Sequence, residues 1–234
     1  MRKLIILIIT LAIIGCSKPE EHQEVIINAA ASLTEGIEEV AKSYEKETGI
    51  KVIINLGGSG SLRKQVEEGA PVDFIFLASE KDLRKLQQED LVEKKEDLLE
   101  NNLVVIGKNK LDELKDITGL IAIGDPGFVP AGRYAKEALI TEGIWDSVKK
   151  NILLTKDVRS ALSYTEREEV DYSFVYKTDA NPKKGYQIYQ VDKRKHSPII
   201  YSAGVRKGSV EGSKFNEYLL KRISIFKKYG FVVR

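Results

Sequence analysis

Four places in the chain carry an apolar, β-branched run into a small or hydroxyl residue and then directly into a helical pattern. They are Ala30-Ala31-Ser32-Leu33, Gly57-Gly58-Ser59-Gly60-Ser61, Val129-Pro130-Ala131-Gly132 and Thr155-Lys156-Asp157-Val158. The first turn of a helix exposes backbone N–H groups with no intrahelical partner, at the positive end of the helix dipole. Each of these starts can therefore hold an anion without any charged side chain. In parallel α/β sheets such turns collect at the carboxyl ends of the strands, where ligands bind. Each also has a purely structural reading. Ser32 with Glu35 fits a capping box, Asp157 fits an N-cap for a helix beginning at Val158, and Pro130 fits a turn. The 57–61 run is the least easily reduced to capping, because glycines let a ligand approach backbone N–H groups directly.

Other chemistries fit less well. A serine hydrolase built on Ser32 or Ser59 is the remote alternative, but Ser61 stands where the last glycine of G-x-S-x-G belongs. Arg63 stands where a dinucleotide fingerprint needs its third glycine. The two histidines are His22, in a polar stretch near the start, and His196, in a polar surface-like segment. No His, Cys or carboxylate cluster has metal-ligand spacing.

The elements that must position these turns are readable from periodicity. Extended runs are expected at 25–28, 52–56, 72–77, 103–106, 120–123, 152–154, 172–176, 186–191 and 199–205, alternating with helical stretches. The first helix carries Leu33, Ile37, Val40 and Tyr44 on one stripe and should stop at Gly49. The alternation predicts an α/β fold with mostly parallel sheets flanked by helices. The length suits one domain or two smaller lobes. With two lobes the chain must cross at strand-like segments, 101–107 and 197–204, which gives 25–101 with 200–234 as one lobe and 102–199 as the other.

The start of the chain reads as an export signal. Arg2 and Lys3 precede an apolar run over 4–14, too short to span a bilayer comfortably, followed by Gly15 and Cys16. A small residue before a cysteine matches a lipobox, so 1–15 is expected to be a lipoprotein signal peptide and Cys16 the lipidated residue, with 16–24 as a tether. Cys16 is the only cysteine, so no intramolecular disulfide is possible. Loss of Arg2 and Lys3 lowers the basic count from 37 to 35, equal to the 35 acidic residues. A near-neutral chain is a poor nucleic-acid partner, and membrane attachment would rest on the acyl chains.

The residues also carry a family resemblance. Ala29-Ala30-Ala31-Ser32-Leu33-Thr34, Gly69-Ala70-Pro71-Val72-Asp73, Gly124-Asp125-Pro126 with Val129-Pro130-Ala131-Gly132, Asp157-Val158-Arg159, Val175-Tyr176 with Asp179-Ala180, and Tyr229-Gly230-Phe231 resemble the periplasmic molybdate-binding proteins of ABC transporters, over essentially the whole chain after Cys16. The resemblance implies a two-lobed periplasmic-binding-protein-like fold with the ligand cleft between lobes. It implies no enzyme activity and no cofactor, a molybdate or tungstate ligand, and a monomer that delivers the ion to a membrane permease with its ATPase. It also implies five ligand positions: the hydroxyls and N–H groups of Ser32 and Ser59, the N–H groups of Ala131 and Val158, and the Tyr176 hydroxyl. Sulfate or phosphate is the alternative ligand within the same class. Exported and lipid-anchored, the protein would face the periplasm or the cell exterior. Two positions depart from the family's usual pattern: Arg133, expected to face solvent, and the glycines flanking Ser59, expected to loosen that arm of the site.

Overall fold

The structure, a computed structural model, describes residues 24–181 and 185–234. The signal segment and Cys16 lie outside the described residues. In chain order the elements are β1 (Glu24–Ala30), a 3-10 turn at Ala31–Leu33, α1 (Thr34–Thr48), β2 (Lys51–Gly57), α2 (Ser59–Glu67), β3 (Phe74–Leu77), α3 (Glu80–Gln88) and β4 (Val92–Glu100). Then follow β5 (Leu103–Gly107), β6 (Ile121–Gly124), α4 (Pro130–Thr141), α5 (Trp145–Val148), β7 (Ile152–Thr155), α6 (Val158–Glu166), β8 (Tyr172–Tyr176) and β9 (Gln187–Gln190). The chain finishes with β10 (Ile200–Arg206), α7 (Val210–Arg222), α8 (Ile225–Lys228) and β11 (Val232–Val233).

These strands form two sheets, one ordered β11-β4-β10-β3-β1-β2 and the other β7-β6-β8-β5-β9. The chain passes between them twice, from β4 to β5 and from β9 to β10. Asn101 N–H donates to Ile199 O at 3.2 Å, tying the two crossings together. The α/β architecture is as expected, but the sheets are mixed where mostly parallel ones were expected. Among the described residues four of the nine strand pairings are parallel: β1 with β2 and β3, and β6 with β7 and β8. The crossings explain the rest. Strand β10 returns beside the outgoing β4 and therefore runs antiparallel to both β4 and β3, while β5 enters the second sheet antiparallel to β8 and β9.

Local expectations explain how the site is held. Helix α1 buries Ile37, Val40 and Tyr44 and ends on Gly49 at φ 74°, where a residue without Cβ takes the left-handed conformation at little cost. Asp73, in the turn before β3, accepts from Ile26 N–H and from the Ser209 hydroxyl, both at 2.8 Å, so that turn joins β1 to α7. Gly124 and Gly132 let α4 start directly on the end of β6, since a Cβ on Gly132 would lie 1.6 Å from the Gly124 carbonyl oxygen. Phe74, Phe76, Phe215, Phe226 and Phe231 interlock edge to face or tilted between the first sheet and α1, α7 and α8.

Candidate functional site

Strands β1, β2, β6, β7 and β8 end facing one another across the seam between the sheets, and a small chamber lies where they meet. Ala30, Ala31, Ser32, Gly57, Gly58, Ser59 and Ala78 line it from the first sheet, and Val129, Pro130, Val158 and Tyr176 from the second. Its volume is about 10 Å³, the room of roughly one small sphere and far below the ~300 Å³ of an organic-ligand pocket. Among the described residues no charged side chain lines it. Electrostatically its wall is therefore made of hydroxyls and the exposed N–H groups of helix starts.

Each polar group has a defined partner or lacks one. Ser59, 1% exposed at the first turn of α2, accepts from Ala78 N–H at 3.0 Å, which leaves its own proton available to the chamber. Ser32, 2% exposed, lies 2.8 Å from the Tyr201 hydroxyl. Tyr176 is 1% exposed and its hydroxyl has no hydrogen-bond partner among the described residues. Burial holds the Tyr176 and Tyr201 hydroxyls well above the ordinary tyrosine range, so both keep their protons. Val158 is the first residue of α6, whose cap Asp157 accepts from Ser160 N–H at 2.7 Å, as the sequence suggested.

The structure thus brings Ser32, Ser59, Val158 and Tyr176 to one chamber. Ala131, at the second position of α4, is fully buried but does not itself line it; its neighbours Val129 and Pro130 do. Ser32 is not part of a capping box. It lies in the 3-10 turn preceding α1 with no side-chain cap, its hydroxyl turned to Tyr201, while Glu35 is drawn across the seam to Arg159. His196 bonds the carbonyl of Ser197 at 2.7 Å and lines a different cavity from the two serines.

The seam is closed by direct contacts around this chamber. Gly60 N–H donates to Phe128 O at 2.7 Å. A Cβ on Gly60 would lie 2.7 Å from that oxygen and 2.8 Å from the Phe128 Cα, and one on Gly58 would lie 2.9 Å from the Lys156 carbonyl oxygen. The two glycines thus let the turns of the two sheets approach closely, where a looser arm of the site was expected. Arg133 corrects a second expectation. Instead of facing solvent, it donates to the Ser79 hydroxyl at 2.9 Å and lies 3.7 Å from Asp82, reaching from α4 to the cap of α3. On the other side Arg159 bonds Glu35 across the seam and Asp179, 2.8 Å away, on its own side. Burial pushes the Asp179 carboxyl up to about 7, against the opposing pull of Arg159. Periodicity gave no hint of Tyr201, Asn101, Ala78 or Phe128, because each acts through long-range contact. Arg133 was visible as an unusual charge beside a helix start.

Among the described residues no group of three or more His, Cys, Asp or Glu side chains is placed to hold a metal ion, and no helix is long and apolar enough to cross a membrane. The sequence profile of bacterial extracellular solute-binding proteins matches residues 25–232. A Bacillus subtilis protein described as an ABC transporter substrate-binding lipoprotein, YvgL, is 39% identical over 94% of this chain and 93% of its own. The molybdate-binding protein ModA of Haemophilus influenzae is 36% identical over 89% of both. The solved periplasmic molybdate-binding protein of Azotobacter vinelandii superposes with a TM-score of 0.80 at 22% identity, over 90% of this chain and 99% of that one.

Proposed function

We propose, since the chain belongs to the bacterial extracellular solute-binding protein family, that it captures molybdate or tungstate and delivers the ion to the membrane permease and ATPase of an ABC transporter. The observation that carries this reading is the Tyr176 hydroxyl, buried and without a protein partner, lining a chamber on which uncharged donors converge. A buried hydroxyl without a partner is costly and calls for a ligand that accepts. A fully ionised tetrahedral dianion offers only acceptors, which suits the hydroxyls of Ser32, Ser59 and Tyr176 and the helix-start N–H groups of Ala131 and Val158. Hydrogen phosphate brings a proton for which such a wall, with no carboxylate in it, offers only a poor acceptor.

In this reading the two sheets are the cores of two lobes, 25–101 with 200–234 and 102–199, which hinge at the two crossings and shut over the ion. Arg133, Arg159 and the Gly60–Phe128 bond hold the shut form. The molecule acts as a monomer and has no catalytic role. It is tethered through acylated Cys16 on the periplasmic or outer face of a membrane, in keeping with the lipobox at 13–16 and the lipoprotein relative.

Calorimetric titration of the purified protein, freed of bound anions, with molybdate, tungstate, sulfate and phosphate tests the ligand. Tight binding of molybdate or tungstate alone is the expected result. Tight binding of sulfate or phosphate alone would reassign the ligand within the class. Replacement of Cys16 by Ser tests the anchor, with release from the membrane fraction expected.

A further inference from the structure

We propose that Asn101 and Tyr201 set the hydrogen-bond polarity of Ser32, keeping its proton free for the chamber and so favouring oxyanions that carry no proton of their own. This rests on the oxyanion reading above and names the residues that would give the site its selectivity.

The relay begins at the first crossing between the sheets. Asn101 Oδ1 accepts from Asn102 N–H at 2.8 Å, which settles which end of the amide is which. Its Nδ2 must then face the Thr178 hydroxyl at 2.8 Å and the Tyr201 hydroxyl at 3.3 Å, and an amide nitrogen can only donate. Tyr201, fully buried, receives that bond and has its own proton left for Ser32 Oγ, 2.8 Å away. Burial keeps the phenol protonated well past the ordinary tyrosine range, so the proton is always there to give.

The reverse arrangement, with Ser32 donating to Tyr201, would send the Tyr201 proton toward an amide that is itself a donor. Two donors opposed in a buried site disfavour that arrangement by about tenfold or more. Ser32 therefore accepts from Tyr201 and turns its remaining proton to the chamber. Ser59 is set the same way, because Ala78 N–H takes one lone pair of its oxygen and leaves its proton free. Both serines thus keep their proton for the chamber, and have one lone pair fewer to offer a protonated anion, through neighbours other than the five ligand positions. Asn101 and Tyr201 are positioning residues.

The test uses Asn101→Asp and Tyr201→Phe in the otherwise intact protein, titrated with molybdate and sulfate and, by competition against molybdate, with phosphate at a pH where phosphate carries a proton. In Asn101→Asp a carboxylate accepts where the amide donated, so the Tyr201 proton turns away from Ser32 and Ser32 can show a lone pair to the chamber. The expected result is a molybdate-to-phosphate affinity ratio reduced by about 10–100-fold in Asn101→Asp, and by about tenfold in Tyr201→Phe, where Ser32 is merely released. The negative charge that Asn101→Asp introduces weakens every anion and leaves the ratio as the readout. Sulfate, unprotonated like molybdate, keeps its ratio to molybdate in both variants. A purely structural role would lower all affinities and the melting temperature together. Should Asn101→Asp fail to fold, Tyr201→Phe decides alone. Folded variants with an unchanged molybdate-to-phosphate ratio overturn the relay while leaving the oxyanion reading intact. A wild-type protein that binds none of these anions overturns both.

Discussion

A hydroxyl sealed in a protein without a partner forfeits the bonds it made to water, and the Tyr176 hydroxyl stands in that position at the chamber wall. Its removal should separate binding from stability. Tyr176→Phe is expected to weaken molybdate binding by about 1.5–3 kcal/mol, the value of a hydrogen bond to a charged group, without lowering the melting temperature of the ligand-free protein. Ser59→Ala makes the contrast, since its oxygen also satisfies Ala78 N–H. It should weaken binding by a similar ~1.5–3 kcal/mol and also cost about 1–3 kcal/mol of stability, read from the urea midpoint and from calorimetry. A Tyr176→Phe protein that melts early and binds normally would remove Tyr176 from the site. The serines were legible because a helix start is a local pattern of a few residues. Tyr201 was not, because it meets Ser32 from 169 positions away.

At the scale of elements, what positions the chamber is the fit of helix starts against the ends of strands in the other sheet, and the glycines carry that fit. Gly60→Ala places a methyl group against the Phe128 backbone only when the seam is shut. Overpacking of that kind costs about 1–3 kcal/mol, so molybdate affinity should fall by roughly 5–150-fold, with the melting temperature of the ligand-free protein nearly unchanged. An equal loss in both measurements would mean that the seam is shut in the ligand-free protein as well. Most elements could be read in advance because their apolar period is intact. Strand β4 could not: its sequence, VEKKEDLLE, has the charge density of a surface helix or loop, and only Val92, Leu98 and Leu99 are buried. It becomes a strand because β10 and β11 pair with it on either side. Strand β11 is two residues long and has no period to detect. The mixed pairing was hidden for the same reason, since strand direction is set by where the chain crosses between sheets and not by the residues of a strand.

Across the whole molecule two unequal clamps bridge the seam, Arg133 toward Ser79 and Asp82, and Arg159 between Glu35 and Asp179. The second clamp contains the group whose charge is most disturbed. Burial pulls Glu35 upward, yet its bond to Arg159 leaves it below the ordinary range, so it stays ionised through neutral pH. For Asp179 burial wins over Arg159 and the carboxyl is held up to about 7, against roughly 3.9 in an unfolded chain. A carboxyl raised on folding binds its proton more tightly in the native state than in the unfolded one. Its contribution to stability is therefore complete below about pH 4 and is lost as the pH rises toward about 7. Asp179→Asn removes that titration while keeping the shape of the side chain. The stability of the wild type relative to Asp179→Asn, taken from urea midpoints at constant ionic strength, should accordingly decline as the pH is raised from about 4 to about 7 and level off beyond it. Parallel curves for the two proteins across that range would mean that Arg159 holds the Asp179 carboxylate ionised throughout, and that the clamp is a permanent ion pair.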